Sequence, residues 1–542
     1  MAGHVRVWRS PQIGISPFYR LTRVTRCVAL SRMARFSRVW LRLILVCAAF
    51  TARADVKLAG LFSDNMVLQR RMRAPVWGWA DEGEKVTVTF RGASVSATAK
   101  GGKWIVKLPG QNAGGPDRLI VEGKNKIELK NILVGEVWIC SGQSNMEFPL
   151  SRSFDSEKDI ASSAQPNLRL FTVPKLKANE PVNNVMAGWQ ECNPDTVKNF
   201  SAVAYYFGRD LRQARGVPVG LIHTSWGGSP AEVWMSEKVL AGNPDYEKAI
   251  LGDYQTALKN YQVASEKFEE ELLSSKVEGK NTERKPPSPP PWKPAELYNG
   301  MIAPLIPYAI KGAIWYQGES NAGLAWQYRA LFPDLIRNWR QDWGLGDFPF
   351  LAVQLAPWDR NKKRSVDQIT ATPGESDWAE LREAQLLATK VLPKVGLAAI
   401  TDVGDKDDIH PTKKEPVGAR LARLARNIAY GEKVECYGPR YRQMQIKADK
   451  IIVNFDHLSG GLEARGGRLR GFAICGADRK FVWANAEIDG GRVVVSSPQV
   501  EKPVAVRYGW ADYPVVNLFN REGLPALPFR TDDFPMITAP KK

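Results

Sequence analysis

Histidine is scarce in this 542-residue chain: it has four, and His4 lies in an arginine-rich leader. Any imidazole acting as a general base near neutral pH is therefore His223, His410 or His457. Cysteine is almost as thin. Of six, Cys27 and Cys47 fall in the leader, and Cys140, Cys192, Cys436 and Cys475 are spaced too widely for a C-x-x-C pair. That spacing argues against a structural zinc site, while an even number is compatible with export and up to two disulfides. No apolar run approaches the roughly 20 residues of a membrane span. Lysine and acid are both missing from residues 1–54, which hold ten arginines. The other 488 residues carry 65 basic and 57 acidic side chains, so most of the formal +18 charge resides elsewhere than on the body of the protein. With no basic stripe interleaved with aromatics, nucleic acid is not an expected partner.

The leader accounts for those arginines. A basic stretch from Met33 precedes an eight-residue apolar run, Leu43 to Phe50, and Ala52-Arg53-Ala54 fits an A-x-A cleavage site. Met33 is the expected start and Asp55 the expected mature N-terminus, so that the mature chain is exported, periplasmic or extracellular, without stable membrane insertion. A disordered basic tail on a cytosolic protein is the alternative.

The 488 residues beyond the leader exceed a single core, and the pattern changes twice. From 55 to 131, short alternating segments such as Val86–Phe90 and Trp104–Leu108 are separated by Gly/Asp/Asn turns, which predicts a small β-sandwich. From 132 to 431, buried strands alternate with amphipathic helices, which predicts a three-layer α/β/α domain around a mostly parallel sheet. A helical and proline-rich insertion, about 246–294, interrupts it; solvated decoration and a lid are both open readings. From 432 to 542 the chain returns to β, a second flanking module.

Four stretches follow predicted strands of the central domain. Val137 to Met146 reads as a buried strand, a break at Gly142 and a lone hydroxyl, Ser144, where open α/β sheets place ligands. Met146 excludes the Gly-x-Ser-x-Gly elbow. His410 sits in a polar loop after the strand 396–400, and Asp407, three residues earlier, is within reach of one ring nitrogen, the orienting role of the acid in a Ser–His–Asp arrangement. A charged surface loop or a cation site is the alternative there. Thr224 to Pro230 and Trp315 to Asn321 offer paired glycines, amides and a carboxylate as oxyanion donors or as ordinary turns. His223 reads as a structural strand-end residue and His457 as part of a surface turn. Trp226, Trp234, Trp315 and Trp326 are suited either to core packing or to stacking on a sugar ring.

The segments GQSNM at 142–146, SWGGS at 225–229, QGESN at 317–321 and DDIHP at 407–411 resemble the blocks of the SGNH hydrolases, and in detail the sialate O-acetylesterase family. The resemblance implies a serine esterase that removes O-acetyl groups from carbohydrate, most often 9-O-acetylated sialic acid, with no metal or other cofactor. Xylan and pectic sugars are the alternative substrates, and a catalytically dead carbohydrate-binding protein the alternative class. By position, it makes Ser144 the nucleophile, His410 the general base and Asp407 its orienting acid. The oxyanion hole then comprises Ser144, Gly228 and Asn321, with Gln143, Gly227, Gln317 and Glu319 in support. Glu319 is an alternative to Asp407 as the acid that orients His410.

Overall fold

Val137 and Ile139 point into one apolar core, while Trp138 and Cys140, between and beside them, point into another. A strand buried on both faces belongs at the centre of a parallel sheet covered by helices. The computed structural model describes residues 55–279, 285–288 and 290–541, so the expected leader lies outside the described residues. The strand in question is β1 (Lys126–Gly142). With β2 (Gln165–Thr172), β3 (Gln190–Cys192), β4 (Val219–Ser225), β5 (Gly312–Tyr316), β6 (Phe350–Val353) and β7 (Val395–Ala398) it forms a sheet in the order β3-β2-β4-β1-β5-β6-β7. All neighbours along it are parallel except the edge strand β3.

The helices of this region include α1 (Ser144–Glu147), α2 (Ala202–Arg215), α3 (Asp253–Val277), α4 (Ala325–Trp343), α5 (Asp377–Val391) and α6 (Glu415–Leu424). The α2 and α6 helices cover the Trp138 face, and α4 and α5 the Val137 face, giving the three layers that the strand–helix alternation predicts. Local sequence sets their limits. Ser201 caps α2 by accepting from the Ala204 N–H, and Gly216, at φ +63°, ends it. Helix α3 lies in the expected insertion and has no buried residue, as a solvated excursion would.

The N-terminal region is joined to this core more tightly than a linker would join it. The first part of β1 pairs antiparallel with Gly114–Glu122, and its last residues pair with β4 and β5. The expected boundary between 131 and 132 therefore falls inside one unbroken strand. In the C-terminal region, Arg440–Lys447, Lys450–Asp456, Asn485–Asp489 and Arg492–Ser496 form one sheet, and Phe472–Cys475 and Ala505–Tyr508 belong to a second, with a shared core of Ile451, Val493, Ile474 and Val506. Arg382 of α5 docks this region by donating to the Ala511 and Asp512 carbonyls.

The expectation of up to two disulfides is not met. Cys140, Cys192, Cys436 and Cys475 are all free and buried, the first three in the core under α2 and α6 and the last in the C-terminal region. Trp234 and Trp315 are fully buried core residues, whereas Trp326 is exposed. Among the described residues no helix is long and apolar enough to cross a membrane.

Candidate active site

Three strands end together at Gly142, which is paired with Ser225 of β4 on one side and Tyr316 of β5 on the other. The chain leaves β1 toward β2 on one side of the sheet and leaves the adjacent β5 toward β6 on the other, and open α/β folds bind ligands at that kind of reversal. Gly142 has φ +141°, and a Cβ there would lie 2.1 Å from the Tyr316 carbonyl oxygen, so only glycine fits. Two residues later Ser144 opens the short helix α1, where a backbone N–H has no partner within the helix.

The Ser144 Oγ lies 2.8 Å from His410 Nε2, although 266 residues separate them. Burial pushes the His410 ring below its ordinary value, Asp408 opposes that, and the positive charges of Lys414 and Arg152 add to it. The ring is therefore largely neutral at pH 7, as a proton acceptor must be. A cavity of about 550 Å³ opens beside the pair, lined also by Glu147, Phe148, Arg152, Lys175, His223 and Ser225. That volume is in the range of small-molecule sites, about 300–1,000 Å³.

The carboxylate facing the ring is not the one expected. Asp408 Oδ1 is 3.6 Å from His410 Nδ1 and accepts the His410 N–H at 2.9 Å. Asp407 is exposed and pairs with Lys406. The cause is a nested pair of turns. Asp405 Oδ1 accepts the N–H groups of both Asp407 and Asp408, which rotates Asp408 toward the ring and Asp407 away from it. Glu319 does not reach the ring either. Its Oε1 accepts from Asn145 Nδ2 at 2.6 Å, and burial raises its carboxyl above the ordinary range.

Asn321 is also placed differently from the expectation. Its Oδ1 accepts from the Ala231 N–H and Gln317 Nε2, and its Nδ2 donates to Glu232. These bonds tie the loops after β4 and β5 together, and Asn321 does not line the cavity. Gln317 completes that tie, receiving the Tyr328 hydroxyl. Gln143 Oε1 accepts from Gly318 N and Ser320 N, both at 3.3 Å, and so joins the Ser144 turn to the β5 loop. Gly227 lies directly against the serine: a Cβ there would be 3.2 Å from Ser144 Cβ, and its N–H donates to Glu147 Oε2 at 2.7 Å. Gly228 follows at φ +74° with open space around it, and its N–H has no partner among the described residues.

Sequence reasoning passed over three residues at this site. Lys414 is 1% exposed and donates to Asn145 Oδ1 at 2.5 Å, and burial pushes its ammonium down to about 7. Asn145 Nδ2 also donates to the Ile409 carbonyl at 3.0 Å, so that the residue after the serine holds the residue before the histidine. In sequence Lys413-Lys414-Glu415 reads as a solvated charge run; its place just before an amphipathic helix was the available signal. Arg152 is the third. His223, taken as structural, lines the cavity with Nε2 2.6 Å from Ser225 Oγ, and its burial pushes the ring down to about 4. His457 pairs with Glu435 at 3.0 Å in the C-terminal region.

Residues 134–271 and 290–427 match the family described as carbohydrate esterase, sialic acid-specific acetylesterase. The sialate O-acetylesterase of Homo sapiens is 27% identical over 511 residues, covering 87% of this chain and 90% of that protein. That of Mus musculus is 29% identical over 517 residues, covering 87% and 92%. A crystal structure of a carbohydrate acetylesterase from Xanthomonas citri is 37% identical and covers 89% of this chain and all of that one, with a TM-score of 0.74.

Proposed function

The chain belongs to the family of sialic acid-specific acetylesterases, and from that membership we propose that it frees acetate from O-acetylated sialic acid through an acetyl-enzyme on Ser144. It is a carboxylic ester hydrolase, and acetylated carbohydrate is its substrate class. The single observation that carries the assignment of roles is the 2.8 Å approach of Ser144 Oγ to His410 Nε2 at the end of the central strands.

His410 Nε2 takes the hydroxyl proton as Ser144 attacks the acetyl carbonyl. The oxyanion is held by N–H groups of Ser144 and Gly228, and His410 returns the proton to the departing sugar oxygen. Water then repeats the sequence on the acetyl-enzyme. Asp408 supports the imidazolium electrostatically; at 3.6 Å the contact is too long for a hydrogen bond. Residues 55–131 and 432–542 act as flanking β modules on the hydrolase region 132–431. Residues 1–54 act as an export leader, which N-terminal sequencing of the mature protein from its host would test by reading from Asp55.

The deciding experiment measures acetate release by wild type and Ser144→Ala from 9-O-acetylated sialic acid and from acetylated xylan. The sialic acid ester is cleaved faster by wild type, and Ser144→Ala cleaves neither. Retention of more than a few per cent of the activity in a pure sample would remove Ser144 as nucleophile. Faster release from xylan would overturn the substrate.

A further inference from the structure

The cavity beside Ser144 contains an unbalanced positive charge. Four charged or titratable groups besides His410 face it: Glu147, Lys175, His223 and Arg152. Glu147 and Lys175 neutralise each other at 2.5 Å, and the second oxygen of Glu147 is occupied by the Gly227 N–H. His223 is buried and held neutral at pH 7. Arg152 remains. Its guanidinium stacks over the Phe148 ring, 4.9 Å from the centroid, and among the described residues it has no carboxylate partner. Arg152 is an exposed residue, and its N–H donors have no partner among the described residues. Its charge is felt at the reacting centre, since it is one of the two cations that lower His410.

An arginine lying over a ring with its donors free is suited to a planar anion, which it binds with two parallel N–H···O bonds. The reaction itself does not need such a group: the ester, the oxyanion and the departing alcohol are served by Ser144, His410 and backbone N–H groups. The spare charge therefore bears on the rest of the substrate.

We infer that Arg152 is the carboxylate receptor of the cavity, pairing with the acid group of the sugar while the acetyl ester lies against Ser144. This rests on the reading of the substrate as a sialic acid ester, and it explains how an acidic sugar is chosen over a neutral one. A neutral acetylated sugar can fill the same space but leaves the guanidinium to solvent, forgoing the charge-assisted pair that the acid makes. Lys175, already neutralised, contributes little to that choice.

The test compares kcat/KM for 9-O-acetylated sialic acid with that for the same ester whose acid is converted to the uncharged amide. Wild type prefers the acid by about 10- to 100-fold, the size expected of a charge-assisted pair. Arg152→Gln loses the preference, so that the ratio approaches one, and Arg152→Lys keeps part of it. A wild-type ratio near one, or a preference that survives Arg152→Gln, overturns the proposal and leaves the sialic acid reading standing. 4-Nitrophenyl acetate separates the two failures: wild type that cleaves it but neither sialic acid ester refutes the substrate reading itself.

Discussion

Lys414 Nζ and Asn145 Oδ1 are 2.5 Å apart in the interior, and through that bond the residue capping helix α6 grips the neighbour of Ser144. Asn145 extends the grip to Glu319 and to the Ile409 carbonyl. One amide thus fixes the spacing between the turn that holds Ser144 and the loop that holds His410.

Replacing Lys414 by methionine removes that spacing control while filling a similar volume. It strips Asn145 Oδ1 of its donor and leaves Glu319 without the nearby cation. Misplacement of about 1 Å between reacting groups costs about 10²-fold, so kcat falls by up to that factor with KM little changed. The lost cation also lets His410 rise, which moves the acid limb of the pH profile toward higher pH. Steady-state kinetics against pH on a chromogenic acetate measures both.

Asp407 and Asp408 are adjacent and chemically identical, yet they should respond differently. Asp407→Asn leaves kcat within about twofold, as an exposed ion pair is worth little. Asp408→Asn lowers kcat by about tenfold or more, because the imidazolium formed during attack loses its counter-charge. The pH sign follows from the causes of the His410 shift. The active form is the neutral ring, so activity rises with pH through the His410 value, which lies below the usual 6.5. Removing Asp408, which raises that value, moves the limb further toward acid.

Asn321→Ala separates a tie between loops from an oxyanion donor. The substitution takes a hydrogen bond from each of Ala231 N, Gln317 Nε2 and Glu232, a cost of about 1–3 kcal/mol in stability. Loss of an oxyanion donor would instead cut kcat by about 10²–10³ without that destabilisation. Urea unfolding alongside kinetics distinguishes them, and the expected outcome is the stability loss.

His223 supplies an acid-sensitive element. Its folded value of about 4 lies below the 6.5 of an unfolded histidine. The unfolded chain thus binds a proton that the folded one refuses, and stability is lost as pH falls from 6.5 toward 4, by up to about 3 kcal/mol. His223→Gln flattens that window in unfolding titrations at stepped pH.

The strand and glycine positions around Ser144 were legible because burial on both faces and a forced backbone leave clear marks on the residues. Val137 to Cys140, the break at Gly142 and the four polar turns after strands all carry them. The choice between Asp407 and Asp408 was not legible: it depends on which backbone N–H groups Asp405 accepts, a matter of turn geometry rather than residue type. Asn321 has the right chemistry for an oxyanion donor, but Glu232, 89 residues away in sequence, claims its amide N–H. Lys414 was not legible because nothing local in Lys413-Lys414-Glu415 reveals that the start of a helix carries it inward.

The unbroken course of β1 has a mechanical consequence. Because a single backbone ladder runs from the Gly114–Glu122 pairing to the residues under Ser144, the N-terminal region cannot hinge away from the catalytic floor. Cutting the chain at 132 would strip Leu133–Gly135 of their Val67–Gln69 neighbour and bare the opening of β1, the strand whose far end carries Ser144, so trimming this region would expose the central sheet.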